Sequence, residues 1–345
     1  MSELQTTSDD YVRAISAAAD HVAAKHVFND YKARKARNTL RRQHNDLAAF
    51  ATYLAEIQIT VSADDLQNGS EAWDGISWGI VAGFVRWMLQ SGYAISSANV
   101  RLSTVKTYAG LAFQAGAIPD EQHALIRSVH GYQRNESRHI DEERISAGTT
   151  TRKGAKKALA VTISDETRRK LKREHPDTPQ GRRDALLMCL LLDHGLRCGE
   201  LALIQVSDVD LEQGELRFYR PKVDKVQTHR LSRDSLRAAR VWFEHGDALE
   251  SGALLRSSMK SKHGNKLGAS GMSERAITKR VEYLGRRFGI TGLSAHDGRH
   301  SWATTAARKG TDPFALQEAG GWNSLAMPRR YVEAAKIANE GVKLE

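Results

Sequence analysis

The carboxyl-terminal part of the sequence contains Leu293-Ser294-Ala295-His296-Asp297-Gly298-Arg299-His300, then Gly320-Gly321-Trp322 and Arg329-Arg330-Tyr331. Two earlier blocks accompany it, Gly195-Leu196-Arg197-Cys198-Gly199-Glu200-Leu201 and Arg220-Pro221-Lys222. The polar and aromatic residues of these blocks are unevenly spaced, so no single helix or strand can place them on one face. The blocks therefore predict a site that forms only when the fold brings several elements together.

Composition indicates a large basic protein. The chain has 345 residues, for which two domains are the default expectation. It carries 51 Lys and Arg against 41 Asp and Glu, a formal net charge of +10. This excess favours a polyanionic partner, because contacts to phosphates release counterions and supply affinity that does not depend on base sequence. Net charge alone does not distinguish DNA from RNA or from an acidic membrane.

Cysteine content and hydropathy favour a reducing, cytoplasmic location. The two cysteines, Cys189 and Cys198, are too few for a disulfide framework. The longest apolar run, 185–192, falls well short of the roughly 20 residues that span a membrane. No basic segment leads into an apolar one at the amino terminus, so the sequence predicts no secretion signal.

Residues 1–140 are predicted to form a helical domain, because apolar residues recur there at helical spacing. One stripe comprises Leu40, Leu47, Phe50, Leu54 and Ile57. A further helix begins near Ile80 and ends at Gly92. We expect Asn38 or Thr39 to cap the first of these helices and Ser96-Ser97 to cap a later one. The residues expected to pack in that later helix are Val100, Val105, Tyr108 and Ala112.

Basic residues accompany these helices and are candidate DNA contacts. They are Arg37, Arg41, Arg42, Arg101 and Lys106. We expect Arg101 and Lys106 to remain free of partners within the domain. The alternative for each basic residue is an ordinary solvated surface.

Residues 141–160 are predicted to be a basic, flexible linker. Small polar residues and glycine dominate 146–157, a composition that forms neither a stable helix nor a strand. The positive charges in this stretch could follow the phosphates of a nucleic-acid backbone.

Residues 161–345 are predicted to form a second domain of helices and a small antiparallel sheet. Ser164-Asp165-Glu166 is a helix-start signature, and 185–192 indicates a helix buried on most sides. Alternation on both sides of 221–224 predicts a hairpin with Lys222 at its tip. A helix from Ser273 has apolar residues for the core, Ile277, Val281, Leu284 and Phe288. Its opposite face is basic and could enter a major groove, through Lys279, Arg280, Arg286 and Arg287.

The blocks quoted above resemble the active site of the tyrosine recombinases, the phage integrase family that includes Cre, Xer and lambda-type integrases. The resemblance is clear over residues 182–331 and looser in the amino-terminal third. It implies a mostly α protein with a small antiparallel β-sheet. A helical core-binding domain would clamp duplex DNA, and an α+β catalytic domain would follow it. The resemblance implies neither a metal nor another cofactor.

The same residues suit the transfer of a phosphoryl group to a side chain. Arg197 and Arg299 can each present a guanidinium fork to the non-bridging oxygens, where charge develops. Tyr331 stands where the family places its nucleophile. His296 would be the general base, and Lys222 the general acid that protonates the leaving 5′-oxygen.

Three further residues complete the predicted site. Trp322 can donate from its indole N–H at a position where most of the family carries histidine. Glu200 and His300 would support the site by orienting its catalytic groups. Lys225 competes with Lys222 for the role of general acid, and the hairpin pattern does not decide between them. His296 and His300, four residues apart, could instead face a metal at helical spacing.

The implied function is site-specific recombination of double-stranded DNA. Family members of this kind cleave one strand at a time through a 3′-phosphotyrosine and exchange strands through a Holliday junction. A homo-tetramer would act on two DNA sites, each with inverted repeats. The same chemistry would serve a type IB topoisomerase or a telomere resolvase, and a catalytically inactive relative would only bind DNA.

The carboxyl-terminal tail after Tyr331 is predicted to continue as a short helix and to break at Gly341. Its apolar residues should fray unless they dock. Val342 and Leu344 could fill a pocket on a neighbouring protomer, or the tail could fold back on its own domain.

Overall fold

The computed structural model describes residues 2–153, 160–259 and 266–335. The chain divides into two compact units, Met1–Lys156 and Lys157–Glu345. The helices of the first unit are α1 (Ser2–Ala33), α2 (Arg37–Glu56), α3 (Ala63–Asn68), α4 (Trp78–Gln90), α5 (Ile95–Gln114), α6 (Asp120–Ser128) and α7 (Arg134–Ser146).

Aromatic packing holds the first unit together. The Phe50 ring of α2 stacks on Trp73 at a centroid distance of 5.9 Å and meets the edge of Phe84 of α4 at 5.0 Å. Val81, Phe84, Val85 and Met88 of α4 are buried, and Gly92, the predicted stop, adopts a left-handed conformation (φ +82°) just after this helix. The predicted helical domain is therefore built around the predicted stripes.

The caps and two of the predicted stripe positions in the first unit are wrong. Ala36 and Ala94 hold the N-cap positions of α2 and α5. The residues expected to cap these helices lie inside their first turns, namely Asn38, Thr39, Ser96 and Ser97. A side-chain cap stabilises a helix by about 1 kcal/mol. Starting α5 at Ile95 instead buries this side chain to 5% exposure, and burial of an isoleucine contributes about 2 kcal/mol. Ile57 and Val100 are 41% and 46% exposed, at the end of α2 and on the outer face of α5.

The first unit continues past the predicted boundary at residue 140. Helix α7 runs to Ser146, and its buried Arg144 donates to the carbonyls of Tyr93 and Thr150 at 3.0 and 2.8 Å. The Lys153 N–H donates to the Gly92 carbonyl at 2.6 Å. The part of the expected linker up to residue 153 therefore packs on this unit, and 154–159 lie outside the described residues.

The second unit combines helices with two small antiparallel sheets, as predicted for the fold class. Strands β1, β2 and β3 form one sheet in that order, and β4 pairs with β5. Its helices are α8 (Asp165–Arg173), α9 (Pro179–His194), α10 (Cys198–Leu203), α11 (Arg233–Glu244), α12 (Glu274–Arg287), α13 (Ala295–Arg308), α14 (Pro313–Gly320) and α15 (Ala326–Ala335). Its strands are β1 (Val209–Asp210), β2 (Glu215–Arg220), β3 (Lys225–Arg230), β4 (Arg256–Ser258) and β5 (Leu267–Gly271).

Local signals of the second unit are confirmed. Ser164 and Ser273 cap α8 and α12 by accepting hydrogen bonds from backbone N–H groups. Helix α9 is buried along most of its length and lies at the centre of the core. The apolar stripe of α12 faces the same core, although Phe288 at its end is only half-buried. Pro328 lies in the first turn of α15, where its missing N–H costs no hydrogen bond.

No helix in the described part of the chain has the length and apolar character needed to cross a membrane.

Candidate active site

Arg197 holds the N-cap position of α10, directly after the turn that ends α9. Gly195 adopts a left-handed conformation (φ +61°) that reverses the chain and favours glycine. Glu200, one turn into α10, accepts hydrogen bonds from the Arg197 backbone N–H at 2.9 Å and from its Nη1 at 2.6 Å. The Arg197 side chain remains 26% exposed. One edge of the guanidinium is therefore fixed, and the rest can meet a ligand.

Arg299 lies on α13 and is almost completely buried. Ser294 caps this helix, and the Asp297 carboxylate accepts a hydrogen bond from the Ser294 N–H. Arg299 Nη1 donates to the Gly195 carbonyl at 2.6 Å, and its Nη2 donates to the Gly320 carbonyl. Burial, and then the charge of nearby Arg197, lower the pKa of Arg299. The guanidinium is thus held by backbone carbonyls beside a second positive charge.

Tyr331 and Trp322 meet beside Arg299. The Arg299 guanidinium lies 4.5 Å from the centroid of the Trp322 ring, and the Trp322 and Tyr331 ring centroids are 5.8 Å apart. Tyr331 is 4% exposed and packs with small residues of α13 and with Leu316 of α14. Burial raises the pKa of the Tyr331 hydroxyl above its usual value, and the charges of Arg299 and Arg330 offset part of this rise. Ionisation of this phenol therefore depends on the neighbouring arginines.

The two histidines of α13 occupy different environments. His300 is half-buried, and its ring meets Tyr331 edge-on at a centroid distance of 4.8 Å. Burial, followed by the proximity of His296, lowers the pKa of His300. His296 is exposed, with its ring centroid 6.5 Å from that of His300. Among the described residues, no group of three His, Cys, Asp or Glu could hold a metal ion.

The predicted hairpin is confirmed. Strands β2 and β3 pair in register from Glu215↔Arg230 to Arg220↔Lys225, so residues 221–224 form the turn. Lys222 is exposed within this turn. Lys225 is the first residue of β3, and its Nζ lies 3.9 Å from Glu318 Oε1 at the surface. Both lysines therefore stay available as candidates for the general acid.

The sequence profile of the phage integrase family matches residues 162–337, slightly more than half of the chain. The chain belongs to the phage integrase family. It is 25% identical over 265 residues to the tyrosine recombinase XerC of Bifidobacterium longum subsp. infantis, which covers 74% of this chain and 73% of the relative. It is 26% identical over 282 residues to the tyrosine recombinase XerD of Xanthomonas axonopodis pv. citri, which covers 76% of this chain and 79% of the relative.

Solved structures of the phage integrase family share the fold. A lambda integrase dimer bound to a COC′ core site has a TM-score of 0.60 with 15% identity, and the match covers 94% of this chain and 97% of that one. The Tn1549 transposon integrase in complex with transposon right end DNA has a TM-score of 0.58 with 13% identity, covering 89% and 94%. At this level of identity the likeness supports the fold and not the activity.

Three of the basic residues predicted to contact DNA bind their own unit. The expectation that Arg101 and Lys106 remain free is wrong. Lys106 Nζ donates to the carbonyls of Arg127 and Val129 at 2.5 and 2.9 Å, and Arg101 lies 4.6 Å from the Tyr93 ring centroid. Arg42 pairs with Asp46 at 2.5 Å and remains half-exposed. Helix periodicity placed Lys106 at the surface but could not reveal the carbonyls at the end of α6 that it binds. The Arg42–Asp46 pair, in contrast, lies within α2.

The remaining predicted DNA contacts also differ in whether they are exposed or bound within their own unit. Arg37 and Arg41 of α2 and Lys279, Arg286 and Arg287 of α12 are exposed. Arg280 is instead held by Asp184, a residue that is 1% exposed. This member of the phage integrase family therefore has a basic outer face on α12, and the Arg280 side chain contributes less to that face because it pairs with Asp184.

Sequence reasoning quoted Arg220 within one of the blocks but gave it no role, whereas the structure shows that it is 0% exposed and pairs with Glu200. The signal was present, because Leu216, Phe218 and Arg220 alternate on one face of β2. Strand periodicity alone would have pointed the arginine inward. The predicted tail residues Val342 and Leu344 lie outside the described residues.

Proposed function

We propose that the chain is a site-specific recombinase that cleaves and rejoins duplex DNA. One observation carries the proposal: Arg197, Arg299 and Tyr331 converge on the short segment Gly320–Trp322 from three different helices. Arg299 donates to the Gly320 carbonyl, Arg197 Nη2 approaches the Gly321 carbonyl at 3.5 Å, and Tyr331 packs near Trp322. Two guanidinium groups beside a phenol suit a phosphodiester under attack. Membership of the phage integrase family supports the same chemistry.

The proposed first step conserves the number of phosphoester bonds. The Tyr331 oxygen attacks the scissile phosphorus, a P–O bond to tyrosine forms, and the P–O5′ bond breaks. His296 accepts the phenolic proton, and Lys222 donates a proton to the leaving 5′-oxygen. Arg197 and Arg299 bind the non-bridging oxygens, with Trp322 as a further donor. Because the phosphotyrosine retains the ester bond, a 5′-hydroxyl from a second duplex can reverse the step without ATP.

The proposed assembly is a homo-tetramer on two DNA sites with inverted repeats, proceeding through a Holliday junction. The DNA-bound structures among the relatives support a duplex DNA partner. The exposed basic residues of α2 and α12 are the proposed contacts to the duplex, alongside weaker contributions from Arg42, Arg101, Lys106 and Arg280.

Covalent capture tests the nucleophile and recovers the target site together. The 345-residue chain is incubated with a library of randomised duplexes that carry single nicks, so that cleavage beside a nick releases a short fragment and traps the adduct. The wild type should yield protein–DNA adducts that resist denaturation, and sequencing them gives the site. Tyr331→Phe removes only the attacking oxygen and should bind the recovered site without forming an adduct. An adduct formed by this variant would exclude Tyr331 as the nucleophile.

A type IB topoisomerase remains the alternative with the same chemistry. Relaxation of a supercoiled plasmid that lacks the recovered site separates the two functions. A topoisomerase relaxes that plasmid, whereas the proposed recombinase requires the site.

A further inference from the structure

The carboxyl end of α14 presents successive carbonyl groups to arginines. Arg220 Nη2 donates to the Ala319 carbonyl at 2.6 Å, and Arg299 Nη2 donates to the Gly320 carbonyl. Arg197 Nη2 approaches the next carbonyl, that of Gly321, at 3.5 Å. The last carbonyls of a helix lack intrahelical partners and carry partial negative charge. The end of α14 therefore acts as a template on which these guanidinium groups are arranged.

The two glycines of this segment allow the close approach. Gly321 has a left-handed backbone (φ +59°), and a Cβ there would lie 2.6 Å from Arg220 Cδ. A Cβ on Gly320 would lie 1.9 Å from the Trp322 ring. Any other residue would displace either Arg220 or Trp322, so the template needs glycine at both positions.

Arg220 is the member of this group that no ligand could reach. It is 0% exposed, and burial lowers its pKa. Hydrogen bonds to several elements replace the water that this buried guanidinium has lost. Its Nη1 lies 3.0 and 2.9 Å from the Glu200 carboxylate oxygens, and its Nε donates to Gln227 of β3. A buried charge is tolerated only when paired and hydrogen-bonded in this way. Arg220 therefore connects α10, the β2–β3 hairpin and the end of α14.

Glu200 is shared between two arginines, and this sharing has an electrostatic consequence. The single negative charge of Glu200 faces Arg220 on one side and Arg197 on the other. Because Arg220 already balances that charge, Arg197 keeps a net positive charge for a phosphate. Without Arg220, the carboxylate would neutralise Arg197 instead, in a site where water screens charges poorly.

We propose that Arg220 is a positioning residue that neutralises Glu200 and fixes the 319–321 carbonyls, so that Arg197 and Arg299 can act on the scissile phosphate. This inference rests on the proposed recombinase function. Arg220 does not touch DNA; it acts through the other two arginines and through the base of the hairpin that carries Lys222.

The test measures adduct formation on the nicked duplex recovered by covalent capture. Arg220→Met removes the charge with little change in size and should slow adduct formation about 10²-fold, while the Kd for the same duplex stays within about twofold of wild type. Adding Glu200→Gln should recover part of the rate, because Arg197 then faces no carboxylate. A purely structural role predicts the opposite, since the double variant would lose more contacts. Arg217→Met, on the exposed face of the same strand, is the matched control and should match wild type.

Arg220→Lys covers the case in which Arg220→Met does not fold. Lysine keeps the charge that balances Glu200 but cannot span Glu200 and Ala319 together, so the loss should be nearer tenfold than 10²-fold. Wild-type rates in the folded Arg220 variants would overturn the inference, as would a Glu200→Gln addition that slows Arg220→Met further. If the wild-type chain forms no adduct with any duplex, the proposed function fails and this inference fails with it. If the wild type cleaves and the variants cleave equally well, only the inference fails.

Discussion

Two sets of arginines in the second unit have the same chemistry but different surroundings. Arg220 and Arg299 are almost fully buried and are bound by backbone carbonyls or a carboxylate. Arg286 and Arg287 on α12 are exposed to solvent. A buried guanidinium held by several acceptors has one orientation and weak screening, whereas an exposed one is mobile and screened by salt. The difference agrees with the proposed roles, in which the first set positions the reacting groups and the second attracts DNA at long range.

The largest effect is expected where a buried arginine is replaced by lysine. Arg299→Lys should reduce adduct formation about 10³-fold, because a point charge cannot donate to the Gly195 and Gly320 carbonyls and still face a phosphate. Arg287→Lys is the matched control from the exposed set and should cleave like wild type. Equal rates for the two variants, measured on the recovered duplex, would remove the distinction between the sets.

Lys222 tests whether an exposed cationic residue can also act in the chemical step, because it is exposed and yet is the proposed general acid. Lys222→Ala should slow cleavage about 10²-fold on normal DNA. The rate should recover on a substrate with sulfur at the 5′-bridging position, because that leaving group departs without a proton. Lys225→Ala is the control and should need no rescue; rescue of Lys225→Ala instead would transfer the role to Lys225.

Buried polar groups behind the site should make the second unit sensitive to acid. Burial lowers the pKa of His229 and of His194 to about 4, against about 6.5 in an unfolded chain. Below pH 6.5 the unfolded state therefore binds more protons, so this contribution to stability is complete above pH 6.5 and declines towards pH 4. At pH 5 the loss should be about 1–2 kcal/mol for each histidine.

Hydrogen exchange of the β3 and α9 amides at pH 7 and pH 5 measures that loss. His229→Gln should reduce the difference between the two pH values. His245→Gln, at an exposed position of the same unit, should leave the difference unchanged. A wild-type protein whose β3 and α9 amides are equally protected at both pH values would contradict the prediction.

The smallest effects are expected on the exposed face of α12. Alanine at Lys279, Arg286 or Arg287 should weaken DNA binding a few-fold and reduce the slope of log affinity against log salt by about one each. Arg280→Ala should mainly destabilise the fold, because the buried Asp184 then loses one of its two ion-pair partners and keeps Arg183. Binding titrations at several salt concentrations check this. A relaxed preference for one base would show that the residue reads sequence rather than phosphate.

The second-unit elements that were predicted correctly depend on neighbours close in the chain. Ser164 and Ser273 cap helices whose N–H groups lie three residues away, and the β2–β3 hairpin follows from alternation around a short turn. Capping failed at Ser96 because burial of Ile95 outweighed a cap. At the start of α2, Asn38 is the second helical residue and Ala36 holds the N-cap position. Local rules therefore hold where packing does not compete with them.

The sequence by itself determined the fold class, the helices that carry a clear apolar stripe or start signature, the hairpin and the identity of the blocks that form the candidate site. Tertiary structure alone decided which charges are free. Arg220 pairs with Glu200, twenty residues away in the chain, and donates to the carbonyl of Ala319, ninety-nine residues away. Lys106 donates to the carbonyl of Arg127, twenty-one residues away. Periodicity shows which way a side chain points, but its partner comes from another element. The same residue type can therefore be a solvated charge or a buried support, and only the packing of distant segments separates the two.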